Sequence, residues 1–154
     1  VIYADADGAT PFSEIERLIT AIKEGADIAI GSRALKTKDT SINTVWYRKV
    51  MGRVFNGIVN LVVLPGVSDT QCGFKLFTRE AAFKVVNLQK EERFSFDVEL
   101  LYLARKFGYQ IKEVAVNWHN VPGSKVRLVN DSAKMFVDIF RIKCRSALGS
   151  YPVP

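Results

Sequence analysis

The sequence predicts a single α/β unit built on a mixed, mostly parallel sheet flanked by helices. Short apolar runs at Val1–Ala4 and Ile28–Ile30 alternate with stretches whose apolar residues recur at helical spacing. A length of 154 residues suits one domain or a piece of a larger one. Hydrophobic residues at 48% and charged residues at 25% exclude a disordered chain.

Val1 to Ala4 reads as the end of a buried strand. Thr10-Pro11 then opens a helix, Thr10 as its N-cap and Pro11 at the first helical position, where a missing N–H costs nothing. Ile15, Leu18, Ile19 and Ile22 follow at helical spacing, and Gly25 closes the helix. Ile28-Ala29-Ile30 is a short strand ending at Gly31-Ser32-Arg33. Residues 1–33 are thus strand, helix, strand, the pattern of a parallel sheet, in which function gathers at the carboxyl ends of the strands.

Residues 34–43 are polar and read as a loop. A long helix is expected from Val45 to Val63, with Arg48, Lys49 and Arg53 on its first half, an apolar second half, and Pro65-Gly66 as its stop. Gly73 to Phe77 reads as a strand and Arg79 to Val86 as a short helix. Asp97 to Phe107 forms an amphipathic helix closed by Gly108, and Ile111 to Trp118 alternates as a strand. After Pro122-Gly123 a final helix runs from about Ser132 to Arg145, capped by Asn130 or Asp131.

Composition removes several function classes. Cys72 and Cys144 lie far apart with no CxxC, and His119 is the single histidine, which excludes a zinc ribbon or a disulfide framework. The best apolar run, Phe55 to Val67, carries Asn56, Asn60 and Pro65 and is too short to span a bilayer. The opening Val1-Ile2-Tyr3-Ala4 has neither Met nor a basic leader, so residue 1 is read as an internal position. The net charge of +6 is unevenly placed: residues 1–32 hold six acidic and two basic side chains, and residues 33–53 hold one and six. An acidic opening before basic blocks suits a metal held by aspartates and surrounded by cations for phosphate; a solubilising basic surface is the plain alternative.

The chemistry-bearing residues lie where strands end. Asp5 and Asp7, separated by one residue after an apolar strand, offer hard oxygens to a cation such as Mg²⁺, which binds through one or two carboxylates plus substrate phosphates. Gly8 lets the chain turn away. Arg33 ends the second strand on the same edge, placed for a bidentate phosphate contact or, taken alone, an ordinary turn arginine. Arg48, Lys49 and Arg53 share a helical side, as a solvated face would also do. Asp69 lies in a polar loop, where an aspartate commonly serves a turn, and Cys72 reads as a packed residue. Asp97 stands at a helix start, where a cap is equally natural, and Glu99 in the first turn, which the dipole favours.

Five stretches, in order, resemble one family: VIYADADGAT at 1–10, Gly-Ser-Arg at 31–33, DTQCGFKLFT at 69–78, RFSFDVELL at 93–101 and VAVNWHNVPGSK at 114–125. They are similar to the dolichyl-phosphate β-glucosyltransferases, family 2 glycosyltransferases with the GT-A fold, over nearly the whole chain. Members carry a membrane anchor and uridine-gripping units before the Asp-x-Asp. The resemblance therefore implies that residues 1–154 are the C-terminal part of an incomplete catalytic domain, expected to be inactive alone: strand–helix–strand over 1–33, loop and membrane-facing helix over 34–66, and an acceptor and C-terminal part over 67–154.

The resemblance further implies inverting transfer of glucose from UDP-glucose to dolichyl phosphate, giving dolichyl β-D-glucosyl phosphate for protein N-glycosylation at the cytosolic face of the endoplasmic reticulum membrane. Asp5 and Asp7 match the positions that hold Mg²⁺ or Mn²⁺ and the sugar nucleotide, with Asp7 the more direct ligand. Arg33 and Arg48 match phosphate contacts for donor and lipid. Asp69 and Asp97 match acidic positions at the reaction centre, and which of them faces the acceptor is open. Ser124 and Lys125 match a loop that lids the diphosphate. His119 stands outside the metal shell. Two rival readings are a Mg²⁺-dependent phosphohydrolase with Asp5 as nucleophile and a non-enzymatic basic membrane-binding module; nucleic acid is excluded because aromatics do not interleave with the basic residues.

Overall fold

A computed structural model describes residues 1–43, 46–92, 95–121 and 128–152, apart from the side chains of 47–49 and 128–133. Its strands are β1 (Ile2–Ala4), β2 (Ile28–Ser32), β3 (Ile42–Asn43), β4 (Phe74–Phe77), β5 (Ile111–Ala115) and β6 (Trp118–His119). Its helices are α1 (Ile15–Lys23), α2 (Trp46–Val62), α3 (Arg79–Val86), α4 (Phe96–Lys106) and α5 (Leu128–Ala147).

The central sheet has the order β1-β4-β2-β5. β4 runs antiparallel to both β1 and β2, and only β2 and β5 pair in parallel. The sheet is mixed, as expected, but two of its three described pairings are antiparallel, which corrects the mostly parallel expectation. The strand–helix–strand reading of residues 1–33 holds for the elements. β1 and β2 do point the same way, but β4 returns between them, and its hydrogen bonds replace the direct pairing that the local pattern suggested.

This topology makes the site. The carboxyl ends of β1, β2 and β5 and the amino end of β4 share one edge of the sheet. Asp5, Arg33, Gly73 and Val116 follow or precede those strands there.

Side-chain alternation divides the core into two layers. Ala29, Phe74, Leu76 and Val114 face α1, where Leu18, Ala21, Ile15 and Ile22 cover them. Ile28, Ile30, Phe77 and Ile111 face the other way, under Phe55 and Val59 of α2, Val85 of α3, Val98 and Leu101 of α4, and Ile139 of α5. All five residues of β2 are buried, as a strand covered on both faces requires. The register also aligns a row across four strands on this second face: Tyr3, Lys75, Ile30 and Glu113. Three polar residues in one row mark where the core gives way to the site.

Several boundaries differ from the sequence reading. Pro11 is the N-terminal cap residue of a 3₁₀ turn at Phe12–Glu14 that precedes α1, and no side chain caps it. The expected 111–118 strand is two pieces, the second of which leaves the sheet to pair with β3. That pairing also orders part of the loop expected at 34–43. α5 begins at Leu128, so Asn130 and Asp131 lie inside the helix rather than capping it. Thr78 caps α3 by accepting from the Ala81 N–H, and Gly8, Gly25 and Gly108 each adopt a positive φ where a turn was expected.

Candidate active site

Asp5 follows β1 directly, and its backbone N–H continues the ladder to the Gly73 carbonyl at 2.7 Å. Its Oδ1 accepts from the Tyr3 hydroxyl at 2.6 Å. Burial and the Asp5 hydrogen bond, aided by the charges of Asp97 and Asp7, hold the Tyr3 phenol far above its ordinary pKa. The phenol is therefore a fixed donor to Asp5. Asp7 is exposed in the turn that follows, and its Oδ1 accepts from the Ala9 N–H at 2.9 Å.

At the end of β2, Arg33 and Asp69 form a two-point ion pair. Arg33 Nε donates to Asp69 Oδ2 at 2.7 Å and a terminal nitrogen to Oδ1 at 2.9 Å; the Arg33 backbone N–H adds a third bond at 2.9 Å. Burial works against both charges, but each partner outweighs it, so the Asp69 carboxyl sits below its usual range and the guanidinium above. Trp118 packs under the guanidinium, 5.5 Å from ring centre to carbon. Glu113 fastens the Asp69 loop from β5 by accepting from the Ser68 and Asp69 N–H groups at 2.7 and 3.0 Å.

Asp97 lies in the first turn of α4, but no cap function is left for it. Its Oδ1 accepts from Lys75 Nζ at 2.5 Å, and burial, opposed by that ammonium, raises its pKa. The same ammonium donates to the Cys72 carbonyl at 2.7 Å. Cys72 is a packed residue, as read, and burial pushes its thiol up to about 11, so it is no ready nucleophile. The charges of Asp5 and Asp69 both act on Asp97, and that of Asp5 on Arg33. One electrostatic cluster thus joins Asp5, Arg33, Asp69 and Asp97. Among the described residues, Ser32 Oγ at this edge is the buried side-chain oxygen with no partner.

Other expected positions stand apart. Arg48 lies in the first turns of α2, and its side chain is outside the described residues, as are Ser124 and Lys125 altogether. His119 is exposed in β6, its backbone N–H donating to the Ala9 carbonyl. Glu99 is fully buried and accepts from the Lys90 and Glu91 N–H groups and the Tyr151 hydroxyl.

Sequence reasoning assigned no role to Lys75, Tyr3 or Glu113. Lys75 had a weak signal, its strand parity with Phe77, but Phe74 and Leu76 on the other face are equally apolar and left its direction open. Glu113 had none, because only the β2–β5 register brings it to the Asp69 loop.

Among the described residues no three His, Cys, Asp or Glu side chains gather as a metal cage. A cation here would depend on the oxygens of Asp5 and Asp7 together with those of a phosphate and water, which is the habit of Mg²⁺.

No family model matches the chain. Curated proteins named dolichyl-phosphate beta-glucosyltransferase do. The chain is 39% identical to that of Drosophila melanogaster over 159 residues, covering 99% of the chain and 49% of the relative. It is 40% identical to that of Dictyostelium discoideum over 99% of the chain and 48% of the relative, and 38% identical to the human protein over 98% and 48%. The chain spans about half the length of the curated relatives it matches. Over nearly all of its residues, it is homologous to about half of a dolichyl-phosphate beta-glucosyltransferase.

Proposed function

We propose that this chain supplies the catalytic edge of a GT-A-type glycosyltransferase that moves glucose from UDP-glucose to dolichyl phosphate with inversion. The observation that carries the reading is the gathering of Asp5, Arg33, Asp69 and Asp97 at one sheet edge, in a chain similar throughout to proteins named for that activity.

The reaction asks for two things from the protein. Charge must be stabilised on the departing nucleoside diphosphate, and the acceptor phosphate must be held in line behind the sugar carbon. That phosphate is already ionised near neutral pH, so a strong general base is dispensable. Asp5 and Asp7 would hold Mg²⁺ or Mn²⁺, which supplies Lewis-acid stabilisation of the diphosphate. Asp5 is oriented for this by Tyr3, and Asp7 is exposed in the adjoining turn. Arg33 turns two nitrogens to Asp69 and stacks on Trp118; its other terminal nitrogen takes no part in that pair and serves a phosphate oxygen. Ser124, Lys125 and the side chain of Arg48 lie outside the described residues, and their roles toward the diphosphate and the lipid phosphate rest on the resemblance alone.

The acceptor is a lipid, and α2 suits a membrane surface. Trp46, Val50, Val54 and Leu61 are all exposed and recur on one side of the helix, with the exposed Arg53 beside them. No helix among the described residues is long and apolar enough to cross a membrane. The setting that fits is the cytosolic face of the endoplasmic reticulum membrane. The names of the relatives give the phosphohydrolase and non-enzymatic readings no support.

The test is glucosyl transfer by the full-length protein that contains this chain, assayed with radiolabelled UDP-glucose, dolichyl phosphate and Mg²⁺. Glucosyl lipid that disappears when the cation is chelated supports the proposal. Release of phosphate from a simple ester, with no glucosyl lipid, overturns it.

A further inference from the structure

Lys75 is the fully buried charge closest to the proposed chemistry, and nothing in that reading uses it. It sits between Tyr3 and Ile30 in the sheet, on the face that also carries Ile28 and Phe77, a position where a buried ammonium survives only when it is paired. Two hydrogen bonds and an aromatic ring hold it. One goes to Asp97 Oδ1 at 2.5 Å, one to the Cys72 carbonyl at 2.7 Å, and the ammonium lies 5.6 Å from the centre of the Tyr3 ring.

Each of these contacts ends on a part of the candidate site. The Cys72 carbonyl fixes the peptide just before Gly73, whose own carbonyl receives the Asp5 N–H. The Tyr3 ring, pinned from its edge by Phe96 at 5.3 Å, carries the hydroxyl that holds Asp5. Asp97 is held directly. A buried point charge with one geometry therefore ties the first turn of α4 to the ends of β1 and β4.

We infer that Lys75 is a positioning residue of the transfer reaction, setting Asp97 and Asp5 relative to one another through its contacts to Asp97, Cys72 and the Tyr3 ring. This rests on the glucosyltransferase reading above. Lys75 touches neither substrate; its effect passes through the carboxylates it fixes. Loss of that fixation acts on the oriented complex rather than on binding, so turnover falls while affinities hold.

The experiment compares the full-length protein with K75M, D97N and K75M/D97N, measuring kcat and KM for UDP-glucose and dolichyl phosphate alongside thermal melting. K75M is expected to lower kcat by about 100-fold with both KM values nearly unchanged. K75M/D97N is expected to lose clearly less than the product of the two single losses, because the part of the Lys75 effect that passes through Asp97 has nothing further to lose once Asp97 is changed. The double variant leaves no unpaired buried charge, so it decides the question even where K75M alone folds poorly. Wild-type kcat in K75M, wild-type kcat in D97N, or a K75M loss that multiplies onto D97N would each overturn the inference. A wild-type protein that transfers no glucose instead overturns the reading beneath it, before any variant is compared.

Discussion

The carboxylate of Asp5 occupies the space that a side chain on Gly73 would need. A Cβ on Gly73 would stand 1.9 Å from Asp5 Oδ2 and 2.0 Å from its Cγ. Gly73 is therefore a cradle residue at the amino end of β4, and the glycine is required by close approach rather than by backbone conformation. Gly73→Ala should displace the Asp5 carboxylate and break its bond from Tyr3. We expect transfer to fall at least about 100-fold, with a stability cost of about 1–3 kcal/mol. Normal kinetics in that variant would show that the position of Asp5 is immaterial.

In the proposed reading Asp7 and Asp5 would hold the cation. Asp7→Ala should abolish transfer, and wild-type turnover should rise with Mg²⁺ and vanish on chelation. Asp7 is exposed and the bond from the Ala9 N–H is local to its turn, so melting should hardly change. Near-normal glucosyl transfer by this variant would remove the metal role.

The Arg33–Asp69 pair makes stability depend on acid. The Asp69 carboxyl is depressed in the folded chain, so the pair contributes fully above the unfolded carboxylate value of 3.8 and is lost as pH falls through the lower folded value. Unfolding measured between about pH 5 and pH 2 should show stability declining in the wild type. Asp69→Asn should be less stable at neutral pH and flatter across that range. An equally steep acid limb in the variant would assign the loss to other groups.

The exposed apolar side of α2 should matter only where lipid is present. V54D/L61D places two charges on residues that are 55% and 85% exposed, so the fold should hold. Flotation with anionic liposomes should decline sharply relative to wild type. Unchanged flotation would move the membrane contact elsewhere.

Glu99 answers a different question, that of what holds α4 in place. Its carboxylate receives two backbone N–H groups from the preceding loop, at 2.8 and 2.6 Å, and the buried Tyr151 hydroxyl at 2.5 Å. Glu99→Ala orphans those donors and should cost about 3 kcal/mol, read by denaturant unfolding. Tyr151→Phe should cost less, since it removes one bond and no backbone partner.

Local order was legible in the chain. The helix near 97–107 follows from apolar spacing and the stop at Gly108, the helix over 79–86 has the bounds that were expected, and the 28–30 strand follows from its apolar run. Asp5 at a strand end and Arg33 at another could be placed on one edge because both strands point the same way. What spacing could not reveal was the return of β4 between them, since antiparallel pairing is chosen by contacts between residues more than forty positions apart. That return decides the site's electrostatics. It puts Gly73 against Asp5 and sends the Lys75 ammonium through the core to Asp97. The partner of a charge is set by which strands and helices meet, and neither Asp69 with Arg33 nor Asp97 with Lys75 has any local sequence signature. The run Phe74, Lys75, Leu76 and Phe77 left open which way the lysine faces; the packed sheet buried it and chose the carboxylate it meets.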